Sequence, residues 1–191
     1  MIKVEFEAVA KALFKANVLQ ENGNFILSSG EVTHKYWDFS ELKGYPIHKR
    51  VIVDAYLQMI QNLGFDSLAD VPNTPGFLVS SLCDKLFVPQ ITPRIALKDH
   101  GNIREIEGPY KKGDKIILLE DVFTTGNSAM RHAEKIEMFD MEVVGIFGII
   151  DYERGAAETL SRWNWAAFTT NNRLINYREM SLQKNAEVPK M

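Results

Sequence analysis

The sequence predicts an α/β fold: an open, mainly parallel twisted sheet flanked by helices, with a small N-terminal subdomain over residues 1–42. Two observations carry that expectation. The runs KIILL (115–119) and EVVGIFGII (142–150) are almost continuously apolar, as strands covered on both faces must be. Apolar runs of this kind alternate with segments of helical length and spacing. Such alternation means parallel strands joined by covering helices.

Each element follows in order. Residues 4–19 carry Val4, Ala8, Leu13 and Val18 at roughly helical spacing and predict a helix, which Asn22-Gly23 ends. NFILSSG (24–30) and HKYWDF (34–39) predict two short strands. From 45 to 63, Ile47, Val51, Ala55 and Met59 recur every fourth residue, and Gly64 follows as a cap. SLADV (67–71) predicts a strand, PNTPG a turn and FLVSSLCDKL (77–86) a helix. ITPRIAL (91–97) predicts a strand at the edge of the sheet, because a central strand resists proline. KIILL leads into a helix over 126–139, EVVGIFGII is the next strand, WAAFT (165–169) the last, and 171–188 a terminal helix. The least regular segment, 98–114, is longer and more polar than an ordinary α/β connection.

The 191 residues suit one domain spanning 1–191. Twenty-two Lys and Arg against 25 Asp and Glu leave a formal charge of −3, so nothing global points to nucleic acid or to an anionic membrane. The lone Cys83 excludes an internal disulfide and a multi-cysteine zinc cluster, and His34, His48, His100 and His132 are too scattered for a protein metal site. No apolar run approaches the length of a membrane span and the first residues do not read as a signal peptide. The expectation is a cytoplasmic protein.

Function is most legible in KIILLEDVFTTGNSAMRHA (115–133). In an open parallel sheet, ligands bind beyond the carboxyl ends of the strands, and Glu120 and Asp121 follow such a strand directly. The turn Thr124-Thr125-Gly126-Asn127-Ser128 then leads into a helix. Backbone amides in that turn and in the first helical turn form a nest for an anion, with three hydroxyls as further donors and a glycine permitting close approach. The carboxylates repel a phosphate but accept from the two hydroxyls of a ribose, or hold a cation. A ribose 5-phosphate fits the stretch. So does a plain polar turn with solvated acids. There is no GxxxxGK and no GxGxxG after an early strand, which removes the common nucleotide loops. A second cluster, Arg94, Lys98 and His100, alternates along PRIALKDHG and would share one side of an extended segment, suiting a lid that neutralises pyrophosphate.

IILLEDVFTTGNS resembles the phosphoribosyl-pyrophosphate (PRPP) motif of type I phosphoribosyltransferases. NFILSSGEVTHKYWDF, RIALKDHG and IIDYERGA resemble, in the same order, segments of the orotate phosphoribosyltransferase family, and the likeness spans about residues 10–160. The resemblance implies a type I phosphoribosyltransferase fold whose residues 1–42 lie on the substrate side. Glu120 and Asp121 would hold the ribose 2- and 3-hydroxyls. Val122, Phe123 and residues Thr124, Thr125, Gly126, Asn127 and Ser128 would line the 5-phosphate. Arg94, Lys98 and His100 would meet the pyrophosphate, with Lys98, His100 and Asp121 carrying the chemistry. Ser28, Tyr36, Trp37, Thr124, Tyr152 and Arg154 would face a planar base. Magnesium would ride on the pyrophosphate and ribose oxygens, in a homodimer whose lid reaches the neighbouring subunit.

The chain departs from the family's pattern at four basic positions. Ser28 stands where a lysine touches orotate, Tyr152 where an arginine follows the aspartate, Ile95 where a second basic residue follows the loop arginine, and Pro75 where a lysine precedes Gly76. Replacing a guanidinium fork with a phenol removes a charge and most of its donors. Two alternatives stay open: transfer to a different base, and a non-catalytic protein that senses PRPP or ribose phosphate.

Overall fold

The computed structural model describes residues 3–26, 32–72, 75–94 and 104–186. Helix α1 (Phe6–Lys15) buries Val9, Ala10, Ala12 and Leu13. It stops earlier than the spacing predicts because Asn17 takes the left-handed conformation (φ 53°) and Val18 donates its N–H back to Leu13 O at 3.0 Å. That is a left-handed C-terminal cap. The expected terminator, Asn22-Gly23, instead lies inside strand β1 (Leu19–Ile26). There it breaks the register between Glu21 and Phe25 in the antiparallel pairing with β2 (Val32–Trp37). After a 3-10 turn over Phe39–Gly44, capped by Asp38 accepting from Ser40 N, helix α2 (Pro46–Ile60) begins with its proline in the first turn.

The main sheet comprises β3 (Ser67–Asp70), β4 (Gln90–Pro93), β5 (Ile106–Glu107), β6 (Lys115–Phe123), β7 (Glu142–Asp151) and β8 (Trp165–Thr170), in spatial order β5-β4-β3-β6-β7-β8. All neighbours are parallel except the antiparallel β4–β5 pair. Helices α3 (Gly76–Leu86), α4 (Asn127–Glu137), α5 (Ala156–Thr159) and α6 (Asn171–Ala186) complete the chain. Strand β6 alternates between two cores. Ile117 and Leu119 pack in the layer containing α1, α2 and α3, whereas Ile116 and Leu118 pack with α4 and α5.

Two expectations change. Strand β4 is not the edge, since β5 covers its outer side. Arg94 donates its N–H to Glu105 O at 2.8 Å, so by alternation the nitrogen of Pro93 points toward β3, whose pairing with β4 ends at Ile91. The proline sits where no ladder bond is required. Strand β6 also continues past KIILL to Phe123, so the acidic pair lies within the strand rather than beyond it.

From β3 the chain moves outward to β4 and β5, then returns to place β6 on the opposite side of β3. That reversal opens a crevice at the carboxyl ends of β3 and β6. Among the described residues no helix is long and apolar enough to cross a membrane.

Candidate functional site

Strand β6 outruns β3. Their pairing ends at Asp70↔Leu119, while pairing with β7 continues to Phe123↔Asp151. Residues 120–123 therefore form a lip with one edge held by β7 and the other open to the crevice. The lip is anchored from below by Tyr56, which is buried and donates its hydroxyl to Glu120 O at 2.6 Å.

Glu120 is 6% exposed and Asp121 is partly buried. The Asp121 N–H donates to Glu120 Oε1 at 3.3 Å, and the Val122 N–H donates to Asp121 Oδ1 at 2.8 Å. Burial, reinforced by the charge of Asp121, holds the Glu120 carboxyl well above its usual range. Burial also raises Asp121, to about 6, although hydrogen bonds from Glu120 and from the Val122 amide pull it back. Such a pair takes up donors avidly, and a vicinal diol presents two in the right place.

The next residues build the anion nest. Thr124, Thr125 and Ser128 are half-buried and Asn127 is exposed. Gly126 adopts φ 79°, and α4 starts after it with Met130 N donating to Gly126 O at 2.9 Å. The amides of the first helical turn have no acceptor within the helix and carry its positive dipole end. The space that Gly126 leaves is filled by the protein, not by a ligand. A Cβ there would lie 3.2 Å from Ala156 Cα and Leu160 Cγ and 3.3 Å from Thr159 Cβ, so the glycine lets α5 close against the turn from behind. His132 is buried one turn along α4, and its Nδ1 lies 2.8 Å from Ser128 O, which fixes that turn.

Val122 and Phe123 shape the lip rather than grip a ligand. The Phe123 ring is buried, edge-on to Trp165 at 5.8 Å, and its carbonyl accepts the Tyr152 N–H at 2.9 Å. That last bond joins the lip to the turn carrying Tyr152 and Arg154, expected from the resemblance to face a base.

On the base side the structure brings together Tyr36, Tyr152 and Arg154. Tyr36 stacks on Phe25 with ring centroids 5.4 Å apart. Its hydroxyl is raised by burial and then by the charges of Asp121, Asp38 and Glu120, which puts it within electrostatic reach of the acidic pair. Tyr152 is pushed up to about 12 by burial, with Arg154 opposing and Tyr36 adding, so it is a neutral phenol. Its hydroxyl points to Lys35 O at 3.5 Å. The turn after it is curled by Glu153 (φ 58°) and Gly155 (φ 101°), with Glu153 N bonded to Asp151 Oδ1 at 2.8 Å. The curl sets the Arg154 guanidinium 5.5 Å from the centre of the Tyr152 ring. A cation thus stands next to the position where the family's arginine is replaced.

Trp37 is corrected. It is 2% exposed, donates its Nε1–H to Asn171 Oδ1 at 2.9 Å and lies against Phe14, so it belongs to the core. In β2 alternation sets Tyr36 and Trp37 on opposite faces, and Trp37 takes the core side.

Arg94 follows β4, its guanidinium paired with Glu107 of β5. Ser28, Lys98, His100 and the departure at Ile95 lie outside the described residues. One site residue escaped the sequence reading: Asp70, 4% exposed at the carboxyl end of β3, accepting from Thr92 Oγ1 at 2.5 Å and Gln90 Nε2 at 2.9 Å. Its signal was an acid closing a short run otherwise buried throughout.

No protein-family model matches the chain. It is 34% identical over 142 residues to the orotate phosphoribosyltransferase of Pyrococcus horikoshii, covering 73% of this chain and 76% of that enzyme. It is 32% identical over 138 residues to the bifunctional enzyme PyrF/PyrE of Nostoc, covering 72% of this chain but spanning only 29% of that longer protein. Among solved structures, orotate phosphoribosyltransferase from Aeropyrum pernix superposes with a TM-score of 0.79 at 26% identity, over 90% of this chain and 98% of that one.

Proposed function

The chain belongs to the orotate phosphoribosyltransferase family, and from that premise we propose that it transfers the phosphoribosyl group of PRPP to orotate with release of pyrophosphate. The observation that carries this reading is the β6 lip. It places two proton-hungry carboxylates immediately before the amide nest of α4, and its Phe123 carbonyl is bonded to the backbone of Tyr152 on the base side.

In the reaction a ring nitrogen of the base gives its lone pair to C1 of the ribose as the bond from C1 to the pyrophosphate oxygen breaks. The transition state has oxocarbenium character, and negative charge grows on the leaving group. Donors already aimed at that charge lower the barrier. Glu120 and Asp121 hold the diol, and Thr124–Ser128 hold the 5-phosphate. Arg94, Lys98 and His100 meet the pyrophosphate, where Lys98 or His100 protonates or neutralises it. Arg94, paired with Glu107, would turn its guanidinium toward the pyrophosphate. No group of three or more His, Cys, Asp or Glu among the described residues could hold a metal ion. Magnesium would arrive on the pyrophosphate and ribose oxygens of PRPP, where it would offset charge. The base lies between Tyr36 and the Tyr152–Arg154 turn, and Arg154 supplies a cation for the orotate carboxylate. We place the enzyme in the cytoplasm as a homodimer, the latter checked by sedimentation.

The test is pyrophosphate release with PRPP, magnesium and a panel of orotate, uracil and purine bases. Release with orotate is expected. Faster release with another base would reassign the acceptor. PRPP binding by calorimetry with no release against any base would replace the enzyme with a ribose-phosphate sensor.

A further inference from the structure

We propose that Asp70 is a positioning residue of this site: its buried carboxylate ties Gly76, the first residue of α3, to the end of β4, and so sets the width of the crevice that receives the pyrophosphate end of PRPP. The inference rests on the PRPP reading above and adds a residue to it.

Strand β3 is four residues long and wholly buried. An ionised side chain there is costly unless its lone pairs are met by donors. They are met by residues from β4. Thr92 Oγ1 and Gln90 Nε2 both donate to Asp70 Oδ1, at 2.5 and 2.9 Å. The Gln90 amide also donates to Gly76 O at 3.4 Å, so one side chain bridges the carboxylate and the first residue of α3. Gly76 closes on the other oxygen, where a Cβ would lie 3.2 Å from Asp70 Oδ2. Carboxylate, amide, hydroxyl and glycine form one clasp across the carboxyl ends of β3 and β4.

The clasp reaches functional groups on both sides. Thr92 pairs with Glu107 across the β4–β5 ladder, and Glu107 holds the Arg94 guanidinium. The titratable groups that feel the Asp70 charge are Glu120 from β6, His132 from α4 and Cys83 from α3. Burial and then Asp121 chiefly raise the Glu120 carboxyl, and the Asp70 charge adds to them as the smallest contribution. An asparagine would keep an acceptor for Thr92 and Gln90 and lose only this charge.

The experiment compares wild type, Asp70→Asn, Asp70→Ala and Thr92→Val by direct PRPP binding, by KM and kcat, and by the pH dependence of kcat/KM. Asp70→Ala should raise KM for PRPP about tenfold, with KM for the base nearly unchanged. Thr92→Val, which breaks one arm of the clasp and leaves the charge, should raise it about threefold. Asp70→Asn should keep KM for PRPP within about threefold at neutral pH and move the acid limb of the profile to lower pH, because Glu120 then ionises more easily. If Asp70→Ala loses melting temperature alone, or does not fold and Thr92→Val leaves KM for PRPP unchanged, the inference is wrong. An acid limb identical in Asp70→Asn overturns its electrostatic part. A wild-type protein that does not bind PRPP sinks the functional reading itself; variants that bind as wild type does sink only the role of Asp70.

Discussion

The proposed ribose-phosphate half of the crevice and its proposed base half are built by different means. The first is one unbroken piece of chain, from the end of β6 through the turn to the start of α4, where the free backbone amides of a helix start are donors. The second gathers side chains from distant segments, as the contact between Lys35 and Tyr152 across 117 residues shows. Backbone donors survive most substitutions, while a side-chain wall changes character with a single replacement. The base half can therefore diverge without disturbing the sheet, and its loss of basic residues at Ser28 and Tyr152 has that form.

The largest expected effect comes from the first half. Replacing Glu120 by Gln and Asp121 by Asn should weaken PRPP binding by about ten- to a hundredfold, as lost hydrogen bonds to charged groups do. Calorimetry with PRPP and magnesium measures this. Affinity left unchanged would mean that the carboxylates do not hold the diol, and the contrast between the halves would collapse.

Next is Gly126→Ala. The backbone there is left-handed, and the added methyl would meet Ala156 Cα and Leu160 Cγ at 3.2 Å. Strain and overpacking together should cost about 1–3 kcal/mol of stability and misplace the nest. A denaturant titration and PRPP calorimetry on the same sample should move together. A loss of stability with intact PRPP affinity would show that the turn tolerates retreat of α5.

The contrast between the halves also governs how much could be read in the chain. Hydrophobic patterning found the buried strands and the motif between them, because burial is what patterning reports. It ended β6 at Leu119, because Glu120 and Asp121 break the apolar run while the ladder to β7 goes on to Phe123. It put β4 at an edge, because one proline looks disqualifying until the direction of its nitrogen is known. Strand alternation was legible but unused at Tyr36 and Trp37, which β2 sets on opposite faces. Asp70 showed only as an acid closing a short run, and its role was hidden for another reason. Its partners Gln90 and Thr92 lie 20 and 22 residues away, and no local spacing announces a clasp between neighbouring parallel strands.

The base half yields smaller and more selective effects. Arg154→Gln should raise KM for orotate about tenfold and leave PRPP affinity unchanged, because the guanidinium faces Tyr152 rather than the nest. Tyr152→Phe should cost less, about threefold, since its hydroxyl makes one long contact with Lys35 O. If either variant instead loses PRPP, the halves are not separable and the Phe123–Tyr152 backbone bond couples them more tightly than supposed.

The smallest effect concerns stability, and it separates the halves by pH. Glu120 and Asp121 are both raised by burial, Asp121 from 3.8 to about 6. A carboxyl whose folded value lies above its unfolded one favours folding while both states are protonated, and that contribution is lost as pH rises through the folded value. The melting temperature of the ligand-free protein should therefore fall as pH rises from about 4 through about 6. Asp151, also raised by burial, adds in the same direction. His132 is lowered by burial and acts in the opposite sense, favouring folding above its unfolded value and losing that as pH falls. Tyr152, held near 12, changes nothing in this window. The Glu120→Gln, Asp121→Asn double variant removes the first slope and keeps the rest. It should melt higher than wild type at pH 7–8, with the gap closing toward pH 4. The substitutions that weaken the grip on PRPP would then make the ligand-free protein more stable at pH 7–8, because two crowded carboxylates, once ionised, oppose the fold until donors share their charge. Melting curves of equal height for the two proteins across that range would show that the acidic pair carries no such strain.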